Sequence, residues 1–271
     1  MLEYLSTAIR AAIEAGEAIM RIYDGDAAGM EIEHKADNSP LTLADRKAHS
    51  IITEHLAKTP FPILSEEGRH APYAERSRWD KLWVVDPLDG TKEFIRHNGE
   101  FTVNIALVEN GTPRTGVIYV PATRTLYYGD DTAGAWRVKT VPQGVTLLSD
   151  IEAGAERLPR KKEKAARAYT VVASRSHLSP ETAACIRELE ARYGRVETRS
   201  AGSSLKFCLV AEGTADFYPR LAPTMEWDTA AGDAILRAAG GTVTDKDSHR
   251  PLTYNKPDLY NPFFEATAPE V

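Results

Sequence analysis

Only two cysteines, Cys185 and Cys208, occur in the 271 residues, and they do not form a Cys-x-x-Cys pair. That pattern excludes a disulfide framework and a thiolate zinc site. It points to a reducing compartment, with both thiols serving as small buried groups. Also missing is any stretch near the roughly 20 apolar residues of a membrane-spanning helix. The opening Met1-Leu2-Glu3 carries no signal-peptide pattern. A soluble, cytoplasmic protein is expected, with room left for weak peripheral attachment on the cytoplasmic side of the inner membrane. A basic surplus is absent too: 33 Lys and Arg stand against 39 Asp and Glu, a net charge of −6. This argues against a nucleic-acid polymer as partner, since that needs a positive field. There are no repeats or low-complexity tracts, and 42% hydrophobic with 27% charged residues is the balance of a folded chain.

What is present alternates between helix and strand. Leu2, Leu5, Ile9, Ile13, Ile19, Ile22 and Tyr23 recur at helical spacing and predict an amphipathic helix over 2–23, closed by Asp24-Gly25. Asn38-Ser39-Pro40 is turn chemistry, and Thr42 with Asp45 three residues on predicts a capping box opening a second helix. Short apolar runs end at Leu64 and Val85, and strands are expected over 102–108, 115–120, 125–128 and 135–138. The charged stretch 151–167, with Arg160-Lys161-Lys162, suits a linker. It would divide a metal-binding and catalytic half, 1–150, from a substrate-binding half, 168–271, that also supplies one metal ligand. In the second half, strands near 168–173, 195–198 and 215–218 alternate with helices over 180–193, from Gly202-Ser203-Ser204, and from Trp227 to Gly240-Gly241. The fold class expected is layered α/β.

The carboxylates gather at element ends. Glu66-Glu67 follows one apolar run, Asp86 and Asp89 follow another in Asp86-Pro87-Leu88-Asp89-Gly90-Thr91, and Asp228 begins a helix. Each has an ordinary alternative: an exposed loop for the Glu pair, an N-cap for Asp228, a capping partner for Asp45. The Asp86–Thr91 segment resists that treatment. A proline-fixed turn with two acids directly after buried residues, then Gly and Thr offering open N–H groups, is unusual for a plain turn. Several rooted carboxylates facing one opening suit Mg2+, which takes hard oxygen ligands and shares its shell with phosphate.

With these segments, the sequence resembles the lithium-sensitive inositol monophosphatase superfamily. That group carries a strand ending in Asp-Pro-aliphatic-Asp-Gly-Thr, a Glu-Glu pair upstream, and Trp-Asp before small residues downstream. Here the last reads Trp227-Asp228-Thr229-Ala230-Ala231-Gly232. Within the superfamily it is similar to the bacterial 3'(2'),5'-bisphosphate nucleotidases of sulfate assimilation. This likeness rests on Lys92-Glu93-Phe94, Lys35-Ala36-Asp37-Asn38-Ser39-Pro40, Ser174-Arg175-Ser176-His177 and Gly202-Ser203-Ser204-Leu205-Lys206-Phe207-Cys208.

The resemblance implies an αβαβα sandwich of the sugar-phosphatase type and two or three Mg2+ ions. Glu66, Asp86 and the Leu88 carbonyl would hold the first ion, Asp86, Asp89 and Asp228 the second, and a third would share Glu66. Asp45 and Thr91 would orient and deprotonate water without a covalent phosphoenzyme, and the amides of Gly90 and Thr91 would hold phosphate oxygens. Substrate contacts would thus include Glu66, Leu88, Asp89, Gly90, Thr91 and Asp228. Ser174, Arg175, Ser176 and His177 offer hydroxyls, a guanidinium and an imidazole for a ribose and its neighbours, and Lys206 and Arg220 are candidates for a remaining phosphate. The expected substrate is adenosine 3',5'-bisphosphate, cleaved at the 3' position to AMP, with 3'-phosphoadenosine 5'-phosphosulfate second. Inositol monophosphate and fructose 1,6-bisphosphate are the nearest alternatives, and a nucleotide- and metal-binding sensor without turnover is one of another class. The oligomeric state is open between monomer and homodimer.

Overall fold

The computed structural model describes residues 2–25, 32–34, 40–144, 148–159, 167–173 and 179–269. Along the chain come α1 (Leu2–Tyr23), β1 (Ile32–His34), β2 (Pro40–Thr42), α2 (Leu43–Leu56), β3 (Ile63–Ser65), α3 (Tyr73–Arg76), β4 (Lys81–Asp89) and α4 (Thr91–Ile95). Then follow β5 (Thr102–Glu109), β6 (Thr112–Val120), β7 (Thr125–Asp130), β8 (Gly134–Val138), α5 (Leu148–Glu152) and β9 (Ala155–Leu158). The second half has β10 (Tyr169–Ala173), α6 (Pro180–Tyr193), β11 (Val196–Ser200), α7 (Leu205–Ala211), β12 (Phe217–Arg220), α8 (Glu226–Ala238), β13 (Thr242–Asp245) and β14 (Phe264–Thr267).

Seven strands make one sheet in the order β3-β4-β5-β6-β7-β8-β9, and five make another in the order β11-β10-β12-β14-β13. In the large sheet only β3 and β4 run parallel. Helices α1 and α2 pack together on the large sheet, burying Leu5, Ile9, Ile19, Ile52 and Leu56 against Trp83, Val85 and Val103. Helix α8 lies against β4 to β8 and also touches β13, while α7 packs on α8 and on β10, β12 and β14. One core therefore joins Val84, Ile118 and Tyr127 of the large sheet to Phe207, Trp227, Ile235 and Phe264 of the second half. With α6 on the small sheet, the layers run helix, sheet, helix, sheet, helix.

The seat of α8 is set by one small residue. A side chain at Gly116 of β6 would place its Cβ 2.3 Å from the Ala231 carbonyl oxygen, so the helix backbone rests directly on the strand.

Two sequence expectations change here. The stretch 151–167 is not simply a linker, because Ile151 and Glu152 complete α5 and Ala155–Leu158 forms the edge strand β9. One of its charges is paired across strands: Glu156 meets Arg137 at 2.6 Å and Lys139 at 3.0 Å, both on or beside β8. Residues 160–166, including Arg160-Lys161-Lys162, lie outside the described residues, as do Asn38-Ser39. The second change is at Asp86-Pro87-Leu88-Asp89, read as a turn after the strand. It is the end of β4 itself, where Asp86 pairs with Asn104 and Asp89 with Thr102. Three steps along β4 thus oppose two along β5, a bulge with one extra residue. Such a site tolerates Pro87, which has no N–H for the ladder.

Candidate active site

Parallel pairing builds the first side of the site. Ser65 lies in register with Val85, so Glu66 and Asp86 emerge side by side, and the Glu66 amide still donates to the Val85 carbonyl at 3.1 Å. The bulge then carries Asp89 to the same end of the sheet. Within it, the Leu88 amide donates to Asp86 Oδ1 at 3.1 Å and keeps the segment folded on itself.

Gly90 turns the chain from β4 into α4 with φ of +93°, in the left-handed region. A Cβ there would also lie 2.3 Å from Ser203 Oγ, so both conformation and space require glycine. Thr91, first in α4, directs its hydroxyl at Asp45 Oδ1, 3.3 Å away, and at the Leu88 carbonyl, 3.5 Å away.

Asp45 is buried. Its other oxygen, Oδ2, accepts from the Thr42 amide at 2.7 Å and the Thr42 hydroxyl at 2.5 Å, completing the predicted capping box of α2. One carboxylate therefore starts a helix and meets Thr91.

The far side of the site comes from α8. Asp228 is not its N-cap but its third residue; the cap is Met225, whose amide donates to Asp228 Oδ2 at 2.9 Å. Glu226 anchors the helix start. It is fully buried and accepts from the Asn255 amide at 2.5 Å, the Lys256 amide at 3.0 Å and the Lys256 ammonium at 2.6 Å.

Asp89, Gly90 and Asp228 line a cavity of about 430 Å3 whose other walls include Lys92, Glu93, Arg96, Ser204, Tyr218 and Arg220. Asp45, Glu66, Asp86, Leu88 and Thr91 are not among its walls; Asp45 lies in α2, Glu66 directly after β3, Asp86 and Leu88 in β4 next to Asp89, and Thr91 at the start of α4. Lys206 does reach the cavity, yet its buried ammonium donates to the Ser203 carbonyl at 2.7 Å and the Ala201 carbonyl at 3.4 Å. Arg220 is anchored by the Pro223 carbonyl at 3.1 Å, and its Nε is buried without a partner. Ser174, Arg175, Ser176 and His177 lie outside the described residues.

The acids converge electrically. Burial pushes the Asp86 carboxyl well above the usual range, and Glu66, Asp89 and Asp228 push it further. Asp228 is raised to about 8, by its protein surroundings first and the Asp89 charge second. Among the described residues, no three acidic, histidine or cysteine groups are already drawn up as a complete ligand shell. The donor set nonetheless fits a hard divalent cation: all its candidate side-chain ligands are carboxylates, and every charged group that perturbs Asp86 is itself acidic. Like charges gathered around the buried Asp86 in this way favour a positive partner.

Sequence reasoning missed Asn104, Ser204, Glu226 and Glu93. For Asn104 a signal existed, a lone amide inside the apolar run Phe101–Val108. Ser204 and Glu93 stand inside the quoted Gly202-Ser203-Ser204 and Lys92-Glu93-Phe94 segments without their own roles being marked there, and Glu226 is set by its pairing with Asn255 and Lys256.

The profile of the inositol monophosphatase family matches residues 1–263. The chain belongs to that family. It is 46% identical over 256 residues to the 3'(2'),5'-bisphosphate nucleotidase CysQ of Salmonella typhimurium, covering 93% of this chain and 95% of that protein. The same-named protein of Escherichia coli K12 is 44% identical over equal shares. A crystal structure of CysQ from Bacteroides thetaiotaomicron superposes with a TM-score of 0.89 at 52% identity, covering 99% of this chain and 98% of that one. An inositol monophosphatase of Thermotoga maritima shares the fold with a TM-score of 0.72 at 25% identity. The layered α/β architecture and dependence on metal ions go with this membership.

Proposed function

We propose that this chain is a 3'(2'),5'-bisphosphate nucleotidase that hydrolyses the 3'-phosphate of adenosine 3',5'-bisphosphate to AMP and phosphate. The observation that supports it best is the meeting of buried Asp86 and half-buried Asp89 of β4 with half-buried Asp228 of α8, beside the Asp45–Thr91 pair, in a chain 44–46% identical to proteins of that name. 3'-Phosphoadenosine 5'-phosphosulfate is the second substrate, and the setting is the cytoplasm.

Glu66, Asp86 and the Leu88 carbonyl would hold one Mg2+, Asp86, Asp89 and Asp228 another, and a third would share Glu66. Bound there, Mg2+ supplies positive charge that acidifies a water and offsets the phosphate's own charge. The chain does the rest. Thr91 donates to Asp45 Oδ1, which leaves its hydroxyl oxygen to accept from the attacking water, and Asp45 takes the proton. The amides of Gly90 and Thr91 hold phosphate oxygens. Arg220, anchored but incompletely paired, faces the second phosphate with Lys92 and Arg96, and Lys206 holds the loop beneath it. Ser174, Arg175, Ser176 and His177 serve the ribose and base. In this division, 1–150 carries the chemistry and 168–271 carries the substrate and Asp228.

A panel of adenosine 3',5'-bisphosphate, inositol 1-phosphate and fructose 1,6-bisphosphate tests the assignment, each with Mg2+ and with chelator. Phosphate release from the nucleotide should dominate and vanish with chelator. Preference for inositol phosphate overturns the substrate, and turnover by the chelated protein overturns the metal chemistry.

A further inference from the structure

Ser204 occupies the N-cap position of α7, where serine ordinarily bonds the helix's own amides, but its side chain makes no such bond. The buried hydroxyl instead lies 2.8 Å from Asp89 Oδ2 and 2.9 Å from the Asp228 carbonyl oxygen. It also accepts from Asn104 Nδ2 at 2.9 Å. Asn104 Nδ2 in turn reaches Asp89 Oδ2 at 3.3 Å, and its Oδ1 is held by the Thr102 hydroxyl at 2.9 Å. Four segments, β4, β5, α7 and α8, therefore meet on one hydroxyl.

The effect falls on a single carboxylate. Both donors address Oδ2 of Asp89, so the ring of bonds fixes the rotation of the group and leaves Oδ1 to the cavity. The hydroxyl's one hydrogen is shared between Asp89 Oδ2 and the Asp228 carbonyl, which sets the Asp228 backbone beside the Asp89 carboxylate. A neighbouring serine reinforces this, since Ser203 Oγ donates within reach of the Asp89 carbonyl at 2.9 Å and the Glu100 carbonyl at 2.5 Å.

We propose that Ser204 and Asn104 are positioning residues for the cation site, aiming Asp89 and tying it to Asp228 across the two halves. The proposal rests on Asp89 and Asp228 being metal ligands. Outer groups that orient metal ligands commonly change affinity by 10–100-fold when removed.

The test is calorimetric titration of Mn2+ into the substrate-free protein for wild type, Ser204→Ala, Asn104→Ala, the double variant and Asp89→Asn, with circular dichroism of each. Ser204→Ala and Asn104→Ala should each weaken Mn2+ binding by about 10-fold or more. The double variant should weaken it by much less than the product of the two, because both act through one oxygen. In turnover assays the metal concentration for half-activity should rise more than kcat falls. Native-like spectra with wild-type Mn2+ affinity in Ser204→Ala overturn the proposal, and so does a fall in kcat with no change in affinity. If Ser204→Ala does not fold, Asn104→Ala alone decides by the same criterion. Unchanged Mn2+ binding in Asp89→Asn overturns the ligand assignment itself, a different failure.

Discussion

Asp45 divides its two oxygens, Oδ2 to the cap of α2 and Oδ1 to Thr91, its partner in the proposed water activation. Asp45→Asn keeps an oxygen that can cap but loses the base. It should lower kcat about 100-fold or more while Mn2+ affinity in calorimetry and the melting temperature change little. Lys206 offers a pH signature. Burial holds its ammonium down at about 8, against an ordinary value of 10.5. Between those values the unfolded chain keeps a proton that the folded chain has released, so this group's contribution to stability rises with pH across that window and is flat below it. Melting curves from pH 7.5 to 10 with Mg2+ present should show that rise in wild type and its loss in Lys206→Met. The candidate pair Asp45 and Thr91, 46 residues apart, was legible only through the motifs that carry the family resemblance. Asp89's partners were not, since Ser204 is 115 residues away and nothing near Asp89 announces it.

Among the elements, the long helices and the meander of β5 to β8 were legible, because periodicity and burial agree there. The end of β4 was not. Asp, Pro, Asp and Gly each read as turn formers, yet β5 supplies a partner strand and the bulge absorbs the proline. The pattern also misjudged β9, whose charges answer those of β8. Tertiary pairing overrode local composition in both places. The contact of β6 with α8 gives the element-scale prediction. Gly116→Val would push the helix off the strand and shift Asp228 with it. Overpacking of this kind costs about 1–3 kcal/mol. Thermal melts should show a drop of several degrees, and Mn2+ binding should weaken although Gly116 is not itself among the proposed ligands.

For the whole molecule, the charge of −6 and the mutually repelling acids mean that the folded chain lacking cations carries a standing penalty. A cation that binds only the folded form adds stability by mass action, about 2.7 kcal/mol at 100 times its dissociation constant. For a chain of this size that corresponds to a rise in Tm of about 5 °C or more. Scanning calorimetry with Mg2+ and with chelator should show it, and equal concentrations of Na+ should not. Among the described residues, no helix is long and apolar enough to cross a membrane.

The seat of α8 against the large sheet bears on how such proteins could be recombined. The helix's Ala231 carbonyl sits against Gly116 of one half while its first turn delivers Asp228 to acids of the same half. Exchanging residues 168–271 for those of a relative with different specificity would bring in a new α8 and one side of the pocket, while the seat at Gly116 and the walls from Asp89 to Arg96 stay behind. Chimaeras should keep phosphatase activity only when the incoming helix matches the glycine groove it inherits, so specificity in this architecture is inherited together with a packing surface.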